Sequence, residues 1–167
     1  MMQKKVQIIS DGSLDLSQEL TKEKDIEVVP FYVSFDSETY QKEMVEVGVR
    51  EFYQEMVDHP TVFPKTSMPS VHDYYEVFEK HAKEKMPVIC ICITRKFSGS
   101  LQSATTAKDM ILEEYPDAQI TVIDSTVNTV LQGLYVLEAC RLRDMGLEYQ
   151  QIVDALLPIR ETGRIFF

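Results

Sequence analysis

Val88, Ile89, Cys90, Ile91, Cys92 and Ile93 follow one another with no polar residue between them. An unbroken apolar run of strand length is the mark of a strand covered on both faces, the kind found in parallel sheets layered between helices. Directly behind it come Thr94, Arg95, Lys96, Phe97, Ser98, Gly99 and Ser100, a small and hydroxyl-rich turn, and then a helical stretch over about residues 99–115. A strand that feeds a short turn into a helix aims unpaired N–H groups and the positive end of the helix dipole at one point, a ready place for an anion. Serine hydroxyls at that point add further donors. The plainer alternative is that Ser98 or Ser100 only caps the helix.

The same alternation runs through the rest of the chain. Residues 6–10 read as a strand closed by the turn Asp11-Gly12-Ser13, and residues 14–22 as a turn or two of helix. Residues 26–35 read as a second strand, with Pro30 placing it at an edge or bulge. Val49, Phe52, Tyr53 and Met56 carry helical spacing over residues 48–57, whereas residues 59–69, with three prolines, read as loop. Ser70 and Asp73 resemble a capping box, and behind them Val71, Tyr74, Tyr75, Phe78 and Ala82 form a stripe expected to be buried. A strand over 119–124 and a helix over 127–145 ended by Gly146 follow, then a last helix from Glu148, broken or kinked by Pro158, that finishes near Gly163. The predicted fold is α/β, three layers with a mainly parallel sheet between helices. In such sheets ligands bind beyond the carboxyl ends of the strands. Ser10-Asp11-Gly12-Ser13, residues 94–100, Asp124-Ser125-Thr126 and the 64–70 loop are then small-hydroxyl turns that share or adjoin one rim.

Composition narrows what such a rim can hold. The chain has 167 residues, 44% hydrophobic and 26% charged, with a formal charge of −10. That charge disfavours nucleic acid and anionic membrane surfaces, and an anion site would have to rely on local dipoles and hydroxyls. No apolar run approaches the length of a bilayer helix, no signal-peptide core is read at the start, and stable membrane insertion is not expected. Three cysteines without metal spacing point to reduced thiols and a cytoplasmic protein.

Several chemistries compete for the hydroxyl turn. A serine-dependent hydrolase or acyltransferase would use Ser98 or Ser100 as nucleophile, with His59, His72 or His81 as base, but the nucleophile-elbow pattern is absent. Neither a dinucleotide fingerprint nor a Walker loop appears. Asp11, Asp15 and Asp124 could be read as a magnesium set, though aspartates in turns and caps serve the same sequence; Cys90 and Cys92 read as buried thiols rather than ligands. An interaction domain without a ligand is the third reading.

The order of motifs adds a resemblance. Ser10-Asp11-Gly12-Ser13-Leu14-Asp15-Leu16, Pro30 within its strand, Phe52-Tyr53, Lys65-Thr66-Ser67-Met68-Pro69-Ser70, Phe97-Ser98-Gly99-Ser100-Leu101-Gln102-Ser103-Ala104 and Ile123-Asp124-Ser125 follow the order of the DegV family. The similarity extends over essentially the whole chain. Gly12 stands where that family has serine, Met68 where glutamine is usual, Ser100 where threonine is usual, and Thr94 where serine is common.

The resemblance implies a cytosolic, non-catalytic protein of two lobes that binds a long-chain fatty acid and presents it to a separate kinase, which makes an acyl phosphate for phospholipid synthesis. Carried over by motif, Thr66 and Ser98 hold the carboxylate, with Gly99 and Ser100 beside them and Ser10, Asp11, Ser67, Asp124 and Ser125 as surrounding support. No metal and no cofactor other than the bound fatty acid is implied. Residues 1–163 correspond to the first lobe, and residues 164–167 to the start of a strand leading toward a second lobe that the sequence does not contain. A lobe without its companion is expected to self-associate through the apolar surface left open.

Overall fold

Hydrophobic alternation places the core before any helix is considered. The computed structural model describes residues 6–165. Strand β1 (Gln7–Asp11) is buried throughout and runs into a 3-10 turn (Gly12–Leu14); helix α1 (Gln18–Glu23), capped by Ser17, leads to β2 (Ile26–Val29). Three short strands, β3 (Tyr32–Ser34), β4 (Gln41–Lys42) and β5 (Lys65–Ser67), enclose helix α2 (Val49–Asp58) in sequence. Helix α3 (Val71–Lys83), β6 (Val88–Cys92), α4 (Ser100–Glu114), β7 (Ile120–Asp124), α5 (Thr129–Asp144) and α6 (Tyr149–Ile159) complete the order.

The main sheet is parallel, in the order β2-β1-β6-β7. Its central strand β6 is wholly buried, and alternate residues divide between two cores. Val88, Cys90 and Cys92 join Tyr74 and Phe78 of α3 and Ala104 and Ile111 of α4 on one face. Ile89 and Ile91 join Tyr135 and Val136 of α5 and Ile152 and Leu156 of α6 on the other. The expected three-layer α/β/α architecture is therefore present, and the apolar run at 88–93 sits at its centre.

Local signals explain most element ends. Ser70 and Asp73 form the capping box that starts α3. Gly146, at φ +88°, follows α5 in the left-handed conformation that favours glycine. Helix α6 tolerates Pro158 in its last turn and stops one residue later, short of the expected end near Gly163.

Other expectations are corrected. Residues 26–35 form two strands in two sheets: Pro30 has no N–H to donate, and the Phe31 N–H goes instead to Glu43 Oε1 at 3.0 Å, so the chain leaves the main sheet there. Residues 65–67, expected as loop, form β5 and pair antiparallel with β3 in the small sheet β4-β3-β5. The stretch 14–22 is split between the 3-10 turn and α1. The apolar stripe of α2 exists but is not buried: Val49, Tyr53 and Met56 are exposed. Arg164 and Ile165 have no regular structure; Phe166 and Phe167 of the expected strand lie outside the described residues.

Candidate functional site

The carboxyl ends of β1, β6 and β7 meet at one rim, and a buried carboxylate organises it. Asp11, the last residue of β1, has no exposed surface. Its Oδ2 accepts the Ile93 N–H at 2.9 Å and the Ser100 hydroxyl at 2.7 Å. Its Oδ1 accepts Gln132 Nε2 at 2.8 Å. Burial pushes the Asp11 carboxyl above its ordinary value, while Gln132, the Ile93 N–H, the Ser100 hydroxyl and the Ser13 N–H pull the other way. Every one of these neighbours is a donor, the environment suited to an ionised carboxylate. Gln132 also donates to Ser10 Oγ at 3.1 Å and accepts from Ser13 Oγ at 2.6 Å, and Ser10 Oγ donates to the Ile91 carbonyl at 2.7 Å.

Ser100 is fully buried beneath the rim. Its hydroxyl hydrogen is given to Asp11, so the Tyr74 hydroxyl, 2.6 Å from Ser100 Oγ, is the donor in that pair. Its N–H donates to Ser98 Oγ at 3.1 Å. The hydroxyl and the N–H of Ser100, expected beside the carboxylate, are thus both engaged within the protein. Ser98 is half-buried, and accepting from the Ser100 N–H leaves its own hydrogen available to donate.

Thr66 lies on β5, exposed and opposite Val33 of β3. It borders a cleft of about 560 Å³ walled by Leu16, Val33, Val49, Phe52 and Tyr53. Ser67, next on the strand, is also exposed. Met68 carries the first motif onto the second: its Sδ would stand 2.6 Å from a Cβ built on Gly99. The strand bearing Thr66 and the turn bearing Ser98 are therefore neighbours.

Ser125 is buried and serves its own loop, its hydroxyl donating to the Val127 carbonyl at 3.0 Å. Asp124 accepts the Thr126 N–H at 2.9 Å and lies 3.7 Å from Arg95 Nε, in a second cleft with Thr94, Lys96, Arg160 and Arg164. Of the histidines, His59 and His72 face Glu55 and Glu76 on their own helices, and His81 is buried against Glu27 at 2.6 Å. Among the described residues no hydrogen bond joins a histidine to Ser98 or Ser100, and no cluster of three or more His, Cys, Asp or Glu side chains could hold a metal. All three cysteines are buried. No helix among the described residues is long and apolar enough to cross a membrane.

Sequence reasoning passed over Tyr74 and Gln132. Tyr74 carries a signal, since a tyrosine within a stripe expected to be buried needs a partner for its hydroxyl, whereas Gln132 carries none in the sequence and its need for partners follows from its burial in the structure.

Comparison with known proteins agrees with this fold. A family model described as an uncharacterised protein of the DegV family matches residues 5–167. A DegV domain-containing protein of Clostridium acetobutylicum is 33% identical over 153 residues, covering 92% of this chain and 53% of that protein. A solved structure described as a stearic acid-binding protein from Eubacterium ventriosum aligns with TM-score 0.86 and 46% identity, over 90% of this chain and 52% of that one. Another, described as showing fatty acid binding of a DegV family protein from Thermus thermophilus, aligns with TM-score 0.77 and 29% identity, over 93% and 53%. The chain thus spans about half the length of these relatives, and it belongs to the DegV family.

Proposed function

We propose that this chain is a lobe of a non-catalytic fatty-acid-binding protein, and that the Thr66 and Ser98 hydroxyls, with the Gly99 N–H beside them, hold the carboxylate of a long-chain fatty acid. The observation that carries the reading is the closeness of Met68 to Gly99, which supports the Thr66 strand and the Ser98 turn serving one ligand, with Thr66 at the edge of a cleft walled in part by Leu16, Val33, Val49, Phe52 and Tyr53. The stearic acid bound by the Eubacterium ventriosum relative supports the same ligand class. Uncharged donors suit a carboxylate entering apolar surroundings, because they leave no lysine or arginine to be buried without a partner when the site is empty. Burial of the tail dominates affinity at about 0.8 kcal/mol per methylene, so ~14 methylenes supply ~11 kcal/mol before the costs of binding. The hydroxyls fix orientation.

Relatives about twice as long supply a second half. In this reading that half packs over the exposed apolar surface of this one, where Tyr53 is 61%, Phe63 82% and Phe97 69% accessible, and closes the tail-binding space. Presentation of the fatty acid to a separate kinase, and a cytoplasmic location, follow from the family resemblance.

Denaturing extraction of the purified protein followed by mass spectrometry is expected to release a long-chain fatty acid. Protein free of lipid that also fails to take up added stearic acid would refute the reading.

A further inference from the structure

The turn that carries Ser98 is tied at both ends to one oxygen atom. Asp11 Oδ2 accepts the Ile93 N–H, where the chain leaves β6, and the Ser100 hydroxyl, where it enters α4. Residues 94–99 are the loop closed between those two bonds. The other oxygen, Oδ1, is held by Gln132 of α5, so the carboxylate cannot swing without breaking a third bond. Ser100 then passes its position on: with its hydroxyl committed to Asp11 and its oxygen accepting from Tyr74, its N–H points at Ser98 Oγ. A hydroxyl whose oxygen already accepts a hydrogen bond has its one hydrogen left to give.

We propose that Asp11 is a positioning residue for fatty-acid binding: through Ser100 it fixes Ser98 as a hydrogen-bond donor turned toward the ligand's carboxylate. This rests on the fatty-acid reading given above and adds to it the residue that sets the site's polarity. Asp11 touches no ligand in this scheme. It acts by accepting from the Ile93 N–H, the Ser100 hydroxyl and Gln132, so that the hydrogens of Tyr74 and Ser100 run inward toward Asp11 while Ser98, an acceptor from the Ser100 N–H, keeps its own hydrogen to give. Removing the Ser100 hydroxyl unties residue 100 from Asp11, so the N–H that holds Ser98 Oγ loses its fixed position, and the loss falls on ligands that need a donor at that point.

The test is a titration of the protein and its variants with stearic acid and, in parallel, with octadecan-1-ol, which has the same tail and no carboxylate. Ser100→Ala is expected to raise Kd for stearic acid about 5- to 20-fold while Kd for the alcohol stays within about twofold. Ser100→Thr, which keeps the hydroxyl, restores most of the affinity, and Asp11→Asn weakens the acid at least as much as Ser100→Ala does. Tyr74→Phe keeps the ring in the core and removes only the donor to Ser100; it gives a smaller loss, again for the acid alone, and serves if Ser100→Ala does not fold. Equal loss of acid and alcohol would overturn the proposal, because a lobe merely loosened by the mutation loses both. Stearic acid bound normally by Ser100→Ala but weakly by Ser98→Ala would overturn it while leaving the fatty-acid reading in place. Normal binding by Ser98→Ala would remove both.

Discussion

The thioether of Met68 occupies the space that a side chain at Gly99 would need: a Cβ there would stand 2.6 Å from Sδ and 3.1 Å from Cε. Gly99 has an ordinary φ of −79°, so glycine serves this position by its lack of bulk and not by its backbone freedom. Gly99→Ala is expected to push the exposed, flexible Met68 aside at a cost below about 1 kcal/mol in urea unfolding. Stearic acid binding should nevertheless weaken severalfold, since displacing Met68 removes the contact that joins the Thr66 strand to the Ser98 turn. Unchanged affinity would show that the two motifs do not act on one ligand.

Gly133 tests the packing beneath the rim. A Cβ there would collide with the Leu14 carbonyl oxygen and with the Leu16 side chain, which hold the 3-10 turn against α5. Alanine favours a helix interior over glycine by about 1 kcal/mol, so propensity alone predicts a gain in stability. The close approach should win, and Gly133→Ala should lower unfolding free energy by about 2–4 kcal/mol, read from the urea midpoint. A stabilised variant would contradict the observed packing.

Asp73 gives the acid limb a named contributor. Burial alone would raise its carboxyl, but the Ser70 hydroxyl and N–H, the Tyr32 hydroxyl and Lys42 outweigh it and hold the group down at about 2. A depressed folded-state value means that the stabilisation is present above the unfolded value near 4 and is lost as pH falls toward 2. Urea unfolding followed between about pH 2 and 5 should show a shallower fall for Asp73→Asn than for the unmodified chain. Parallel curves would assign the acid limb to other carboxylates.

The unburied stripe of α2 bears on association. Tyr53 of α2 and Phe63 in the loop beyond it stand exposed on a chain about half the length of its relatives, and exposed apolar surface tends to find partners. Sedimentation velocity of the 167-residue chain is expected to show self-association that Phe63→Glu and Tyr53→Glu reduce. A clean monomer at high concentration, free of lipid and detergent, would count against an interface on this face.

The parallel sheet and its covering helices were legible because β6 is apolar at every position and the helix stripes recur at helical spacing. The small sheet was not. Pro60, Pro64 and Pro69 surround Lys65–Ser67 so closely that only pairing with β3, distant in sequence, reveals a strand. The stripe of α2 is legible as a pattern, but its exposure is not, since spacing shows which residues share a face and not what covers it. At the rim, the hydroxyl turns could be named from sequence, whereas the roles within them could not. Ser98 and Ser100 are two residues apart and chemically alike, and only the buried partners Asp11 and Tyr74 place one beneath the rim and leave the other half-exposed.

The account stands or falls on where a fatty-acid carboxylate lies. A crystal structure of the protein with stearic acid bound would show this directly. The account predicts both carboxylate oxygens at the junction of β5 and the 94–99 turn, within hydrogen-bond distance of Thr66 Oγ1 and Ser98 Oγ, with the tail leaving along the apolar cleft beside Phe52. A carboxylate placed elsewhere, with Thr66 and Ser98 bonded only to protein or water, would contradict it.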